Sequence, residues 1–348
     1  MKHFTFSFAF TAIALGLAAW WGFHTGGVGG AVGALTIAVI LGVMEVSLSF
    51  DNAVINASVL KTWDRFWRTM FLTVGIFIAV FGMRLLFPLL IVSVTADIGL
   101  FDVWSMAIDR PDEYSTKLME HHGEISAFGG MFLLLVFLNY FLDEDKDIDW
   151  IRSIDEKVGA LGRIDAVSVM IALLILVGAI TMVEGEHRFA VLIAGVWGIL
   201  TYLLVSFLSA FLEKEEEEDT GVGQMVKRGS IGAFLYLEVL DASFSFDGVI
   251  GAFAITKDIV IIMLGLGIGA MFVRSMTIYL VENDTLNEFI FLEHGAHYAI
   301  GVLALIMIAS IKIHVPEVLT GLIGVAFIAA AIYASIRHRR LAADLEKT

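Results

Sequence analysis

The sequence predicts an all-α polytopic membrane protein, and three observations lead to this fold class. Of the 348 residues, 58% are hydrophobic and only 3 are proline. The mean hydropathy is +0.85. Several apolar runs reach about 20 residues, the length at which an α-helix crosses a bilayer. These observations exclude a soluble protein, and the formal charge of −15 argues against nucleic acid as a partner.

Hydropathy places about ten transmembrane helices along the chain. The predicted spans are 4–23, 30–60, 66–93, 125–142, 164–182, 189–211, 229–256, 258–281, 291–312 and 316–336. The first span starts like a signal peptide but ends in Trp20 and Trp21, so we expect a retained helix. With the amino terminus inside, 15 lysines and arginines lie in inner segments and 5 in outer ones. This excess predicts that both termini face the cytoplasm.

The two halves of the chain share an internal repeat. The stretch "EVSLSFDNAVI" at 45–55 matches "DASFSFDGVIG" at 241–251, with Gly248 where the first copy has Asn52. Each acidic helix is followed by a helix with one arginine and then by a helix with a His-Gly pair; these residues are Arg84 and His122, then Arg274 and His294. The acidic helices are five spans apart, so they cross in opposite directions. Such an inverted repeat is the usual plan of secondary transporters.

The repeat organises the chain into five segments. The order is a first helix at 1–29, a first repeat at 30–142, a connecting segment with two helices and an acidic loop at 143–228, a second repeat at 229–312, and a last helix with a basic tail at 313–348. Within the first repeat, we expect 94–124 to form a long acidic loop on the outer side.

Carboxylates inside apolar helices need a physical reason, because an Asp at a helix centre costs roughly 2.5–3.5 kcal/mol on insertion scales. Five acids and two arginines lie in such positions; they are Glu45, Asp51, Glu238, Asp241 and Asp247, with Arg84 and Arg274. The surplus negative charge predicts bound protons, a bound cation, or both. A second interpretation stays open, in which the arginines pair with two acids and the polar residues hold helices together.

The chemistry of these side chains restricts the metals that they could bind. Carboxylate, amide and hydroxyl oxygens suit hard or borderline divalent cations such as Mn²⁺, Ca²⁺ or Mg²⁺. The chain has no cysteine, so thiolate ligands are excluded, and copper and zinc are poorer candidates. Ser49 and Ser245, at matching places in the two repeats, are expected to support the site.

On these residues the chain resembles the TerC-like branch of the LysE transporter superfamily, and in particular a TerC-related bacterial family of unknown function. The resemblance covers 30–142 and 229–336. It implies export of Mn²⁺, or alternatively Ca²⁺, across the bacterial inner membrane, and an indirect association with tellurium resistance. The ligands that it implies are Glu45, Asp51, Asn52, Asp241 and Asp247, to which the charge count adds Glu238.

Histidines near the membrane faces form two further groups. His122 precedes the fourth span, and His294 and His297 precede the ninth, with Glu293 four residues before His297. Residues spaced in this way on one helix face can bind a metal. Two interpretations stay open: hydrogen bonding at the helix starts, and a gate on each membrane face.

The sequence thus predicts a cation transporter that is embedded in the lipid bilayer and has no permanent cofactor. Its oligomeric state is left open. Two other functions are compatible with the same residues. One is a metal-binding membrane scaffold. The other is a metal-dependent membrane enzyme that activates water, although neither a nucleophile motif nor a fixed three-ligand motif is present.

Overall fold

A computed structural model describes residues 2–95, 97–142, 166–183, 185, 187–219, 231–283, 285–313 and 315–345, and over these ranges every regular element is a helix. The helices are α1 (Thr5–Leu48), α2 (Phe50–Leu60), α3 (Arg65–Met70), α4 (Phe87–Thr95), α5 (Leu100–Asp109), α6 (Pro111–Glu120), α7 (His122–Leu142), α8 (Val167–Thr181), α9 (His187–Asp219), α10 (Ile231–Ile255), α11 (Ile259–Glu282), α12 (Thr285–Glu288), α13 (Leu292–Ser310) and α14 (Glu317–Leu345). Residues 143–165 and 220–230, which include both ends of the connecting segment, lie outside the described residues.

Seven of the described helical stretches are long and apolar enough to cross a membrane. They are Thr5–Leu48, Arg65–Ser93, His122–Leu142, His187–Leu208, Ile259–Glu282, Leu292–Ser310 and Leu319–Leu341. The all-α architecture is therefore confirmed over the described residues, and these helices indicate a membrane protein, because about 20 apolar helical residues span the hydrocarbon layer. The count of ten spans stays a prediction.

Helix α1 contains a sharp reversal at Gly26 and Gly27. Gly27 has φ +63° and ψ −150°, a conformation that residues with a Cβ rarely adopt. A Cβ at Gly22 would lie 2.3 Å from the carbonyl oxygen of Gly30. In an unbroken helix, eight residues would separate these positions by about 12 Å along the axis. The chain therefore folds back here, and the two limbs pack as a helical hairpin.

Two other features differ from the sequence prediction. The predicted span at 30–60 is broken at Ser49, which has φ −108° and ψ 19° and separates α1 from α2. The segment at 94–124, expected as a loop, instead contains α5 and α6, with Pro111 at the start of α6. Proline favours the first turn of a helix, where its missing N–H costs nothing.

The helix that follows α2 is unusual in its backbone geometry. Between α3 and α4, Phe71–Gly75 and Ile78–Leu86 are π-helical. Such wide turns are rare and occur frequently at functional sites. Arg84 lies within the second of these segments, and its Nη1 donates a hydrogen bond to the carbonyl oxygen of Ala79, five residues earlier, at 2.7 Å.

Close packing at glycines brings the second limb of α1 against α11. A Cβ at Gly265 would lie 2.7 Å from that of Leu41, and a Cβ at Gly269 would lie 2.3 Å from that of Glu45. Because the contacts advance in the same direction along both helices, the limb and α11 run parallel. Such small-residue contacts let helix backbones approach closely in membranes.

Helices α7 and α13 form a second close pair, this time antiparallel. A Cβ at Gly129 would lie 2.7 Å from Cε of Met307, and a Cβ at Gly301 would lie 2.6 Å from the ring of Phe137. Each helix thus presents one glycine to a large side chain of the other. These two glycines are the ones that the sequence repeat aligns.

Candidate functional site

The centre of the bundle holds a buried ion pair between Glu45, near the end of α1, and Arg84, in the π-helical segment. The side chain of Glu45 is 1% exposed and that of Arg84 is 4% exposed. Arg84 Nη2 donates to Glu45 Oε1, and Ser49 Oγ donates to the same oxygen at 3.1 Å. A buried charge pair is retained only when its geometry and hydrogen bonds offset the cost of desolvation.

Glycines from two other helices make room for the carboxylate of Glu45. A Cβ at Gly248 of α10 would lie 2.6 Å from Glu45 Oε2, and one at Gly269 of α11 would overlap the Cβ of Glu45. Gly248 is the position where the first repeat has Asn52. The departure from the repeat therefore has a physical reason, because an Asn side chain at 248 would occupy the space of Glu45.

A small cavity lies beside this pair on the side of Asp51. Its volume is about 40 Å³, enough for a few waters or an ion but not for an organic molecule. The polar groups that line it are Glu45, Ser49, Asp51, His122, Ser310 and Thr320. Asp51 is 5% exposed. Its Oδ1 accepts from the backbone N–H of Asn52 at 3.0 Å, and no described basic residue lies within 4 Å of its carboxylate.

A second cavity of about 30 Å³ lies on the other side of the ion pair. Asn52, Asn56, Arg84 and Asp241 line it together with Arg274. Asn52 Nδ2 donates to Asp241 Oδ1 at 2.6 Å, which joins the two acidic segments directly. Oδ1 of Asn52 and Oδ1 of Asn56 are buried with no hydrogen-bond donor among the described residues. Buried acceptors of this kind call for a water or an ion.

The two cavities approach opposite ends of the bundle. The first is termed here the outer cavity because the predicted topology assigns its end of the bundle to the outer side, and it reaches His122 at the start of α7 and Ser310 at the end of α13. The second, the inner cavity, extends to Asn56 near the end of α2 and Thr277 near the end of α11. Ser49, at the break between α1 and α2, lines both cavities. The layer of Ser49, Glu45 and Arg84 therefore separates them.

Glu238, counted among the candidate ligands, lies apart from both cavities. It lines a largely apolar cavity of about 220 Å³ together with residues such as Phe128 and Met307. Its Oε1 is buried against Gly75, with no hydrogen-bond donor among the described residues. Glu238 is thus separated from Glu45 and Asp51, but its carboxylate lies near enough to that of Asp241, three residues further along the same helix, for the two charges to repel each other.

The two arginines have different partners. Arg84 pairs with Glu45, whereas Arg274 Nε donates to the carbonyl oxygen of Leu72 at 2.6 Å and its guanidinium lies over the ring of Phe6. Among the described residues, no carboxylate lies within 4 Å of Arg274. The arginines at matching places in the two repeats therefore differ in their partners: one pairs with a carboxylate and the other does not.

The remaining supporting residues are only partly described. Ser245 is buried, and its Oγ has no hydrogen-bond partner among the described residues. Asp247 lies within α10, and its side chain lies outside the described residues. Across the part of the chain that is described, no group of three His, Asp or Glu side chains is placed to hold a metal ion. Four of the predicted ligands thus line the two cavities, Glu45 and Asp51 the outer one and Asn52 and Asp241 the inner one.

The predicted gate histidines occupy different surroundings. His122 lines the outer cavity. His297 stacks on Tyr140 with ring centroids 3.5 Å apart, and its Nδ1 lies 2.9 Å from the carbonyl oxygen of Glu293. His294 contacts the same tyrosine edge-on, at 5.6 Å between centroids. In the described part of the chain, neither His294 nor His297 lines the outer or inner cavity.

Sequence reasoning missed the contribution of α14 to the outer cavity. Thr320 and Gly324 line it, although this helix belongs to neither repeat. The charged residues of this helix, such as Glu317 and Arg337, lie towards its two ends, as in a simple membrane anchor. A Thr and two Gly at 320, 321 and 324 in an apolar helix were the only available signal, since such residues mark close helix contacts.

Fold and site define the class of protein, a helical membrane protein whose apolar bundle encloses a buried ion pair between two polar cavities. A family model described as Protein of unknown function (DUF475) matches residues 50–342. The match spans more than four fifths of the chain, which therefore belongs to the DUF475 family. The comparison with curated proteins and the comparison with solved structures gave no match. The similarity to TerC-like transporters stays a prediction.

Proposed function

We propose that the protein is a secondary transporter that exports a divalent cation, Mn²⁺ or alternatively Ca²⁺. The observation that carries the proposal is the carboxylate of Asp51. It is 5% exposed, faces a small cavity, and has no basic residue within 4 Å in the described part of the chain. A buried carboxylate without a counter-charge requires a proton or a cation.

The surroundings of Asp51 favour a cation that exchanges between two compartments. Oxygen donors line the outer cavity, and unsatisfied amide oxygens with Asp241 line the inner cavity. Hard divalent cations prefer such oxygen ligands. Between the cavities, the Glu45–Arg84 pair and Ser49 block the path. Opening each cavity in turn would give alternating access, and protons on the surplus acids would couple the transport.

The inverted repeat and the inside placement of both termini belong to this proposal. The reciprocal contacts of Gly129 with Met307 and of Gly301 with Phe137 support an internal symmetry. Ion pairs join residues that the positive-inside rule assigns to the same side. Lys61 lies 3.5 Å from Glu293 on the proposed inner side, and Lys257 pairs with Asp112 on the proposed outer side. The proposed location is the bacterial inner membrane.

Transport in proteoliposomes tests the proposal. The purified chain is assayed with Mn²⁺ and Ca²⁺, with and without a pH gradient. We expect Asp51→Asn to abolish flux, because it removes the charge that faces the cavity while keeping the side-chain size. Asp112→Asn is the matched control, since this carboxylate is 82% exposed and lies outside both cavities. Absence of flux with the unaltered protein, or full flux with Asp51→Asn, would contradict the proposal.

Two further measurements separate transport from the two alternative functions. An enzyme would turn over a substrate in detergent without any gradient, and a scaffold would keep its protein partners after Asp51→Asn.

A resistance phenotype towards tellurium compounds is expected only as an indirect result of altered metal content, because a cluster of carboxylates repels an oxyanion.

A further inference from the structure

One wall of the outer cavity is formed by α14, a helix outside both repeats. Thr320, Ile323 and Gly324 line the cavity from this helix. Their spacing places them on one helix face. Gly321, on the same part of α14, packs against Leu48, with a Cβ there lying 2.7 Å from Leu48 Cδ2. The helix is therefore held close to the break between α1 and α2.

Gly324 brings this wall close to the carboxylate of Asp51. A Cβ at position 324 would lie 3.6 Å from Asp51 Oδ2 and 3.8 Å from its Cγ, which are ordinary van der Waals distances. A methyl group therefore fits at Gly324 without displacing the carboxylate. It would nonetheless extend into a cavity of only about 40 Å³. The absence of a side chain here maintains the free space in front of Asp51.

We propose that α14 selects the cation by size, with Gly324 setting the space available to an ion bound at Asp51 and Thr320 bordering the same space. This inference rests on the proposed cation transport. Ca²⁺ takes about 6–8 oxygen ligands at about 2.3–2.6 Å and needs a roomy site. Mn²⁺ is smaller and takes octahedral oxygen sites. A narrower cavity should therefore exclude Ca²⁺ before it excludes Mn²⁺.

The test compares Gly324→Ala with a matched control in proteoliposomes that contain the full chain. For each protein, the concentrations of Mn²⁺ and Ca²⁺ that give half-maximal transport are measured. If one of these ions is not carried, its half-maximal inhibition of the transport of the other is measured instead. The control is Gly33→Ala in α1, because a Cβ at Gly33 meets no described atom within 4 Å. Thermal unfolding of both variants establishes that they are folded.

We expect Gly324→Ala to weaken the interaction with Ca²⁺ about tenfold more than that with Mn²⁺, the size of effect that a modest overpacking penalty produces. Gly33→Ala should leave the ratio unchanged. If the unaltered protein transports divalent cations but Gly324→Ala affects both ions equally or neither, the role of α14 is overturned and the transport function remains. If the unaltered protein transports no divalent cation, both proposals fail.

Discussion

The two acidic segments have nearly the same sequence motif but differ in backbone and in chemistry. The first is broken at Ser49, so that Glu45 ends one helix and Asp51 begins the next. The second runs unbroken through α10 from Ile231 to Ile255. Glu45 of the first segment pairs with an arginine, whereas Asp241 of the second accepts a hydrogen bond from the amide of Asn52. The comparison teaches that a sequence repeat in a membrane protein specifies helix order and polarity, but not equal half-sites.

The two arginines should provide the largest difference between the repeats. Arg84→Met should destabilise the protein by about 3–5 kcal/mol, because it leaves Glu45 charged and buried without a partner. Arg274→Met should cost clearly less, since Arg274 is paired with a carbonyl oxygen and a ring. Thermal unfolding in detergent measures both. Equal losses of stability in the two variants would contradict the distinction between the two arginines. Adding Glu45→Gln to Arg84→Met should partly restore stability, because it removes the unpaired charge.

Asn52 and Gly248 occupy matching places in the two motifs, and exchanging their residue types should have the next largest effect on stability. Gly248→Asn restores the residue type of the first repeat, yet its Cβ would lie 2.6 Å from Glu45 Oε2. We expect a loss of about 1–3 kcal/mol from overpacking.

The reciprocal change, Asn52→Gly, removes the hydrogen bond to Asp241. We expect it to reduce transport as well as stability, while Gly248→Asn alters transport only through Glu45. Unfolding midpoints and transport rates of the two variants distinguish these effects. A neutral Gly248→Asn would show that the space at 248 is not required by Glu45.

The glycines that the repeat aligns offer a smaller and more local comparison. Gly301→Ala would press on the ring of Phe137, whereas Gly129→Ala would meet the flexible end of Met307. We expect Gly301→Ala to cost about 1–3 kcal/mol and Gly129→Ala less than about 1 kcal/mol, because methionine adapts to small changes in volume. Unfolding midpoints in detergent provide the measurement, and the reverse order would contradict the packing described for α7 and α13.

Among substitutions of the candidate acidic ligands, Glu238→Gln should have the smallest effect on transport. Glu238 lines an apolar cavity rather than the outer or the inner cavity. We expect the Mn²⁺ concentration for half-maximal transport to stay within about twofold of the original value, a change below 0.5 kcal/mol by the affinity relation at about 1.4 kcal/mol per tenfold. Loss of transport would instead return Glu238 to the cation path, as the sequence predicted.

Much of the fold could be predicted from the sequence, because apolar length determines which segments cross a bilayer. The reversal at Gly26 and Gly27 separates the first two predicted spans. The sequence also indicated the polar helices and their arginines. It did not indicate the break at Ser49, since hydropathy is continuous there and helix breaks depend on tertiary contacts.

The distribution of the acids could not be predicted from their spacing alone. Three residues apart on one helix, Glu238 and Asp241 share a face, yet only Asp241 lines the inner cavity, whereas Glu238 packs against Gly75. Similarly, the pairing of Arg84 rather than Arg274 with an acid depends on the π-helical backbone around Arg84. Thr320 and Gly324 carried no charge that would have connected them with Asp51.

The π-helical stretch at Ile78–Leu86 has a mechanical consequence. A π-helix closes each hydrogen bond over one residue more than an α-helix, so conversion of this stretch to α-helix would rotate the residues in and after it about the helix axis. Such a rotation would move the guanidinium of Arg84 away from Glu45. The ion pair that separates the two cavities would then be broken. Because the chain has no cysteine, a spin label on a thiol introduced at Phe81 would report the rotation, and an unchanged spectrum during cation transport would argue against it.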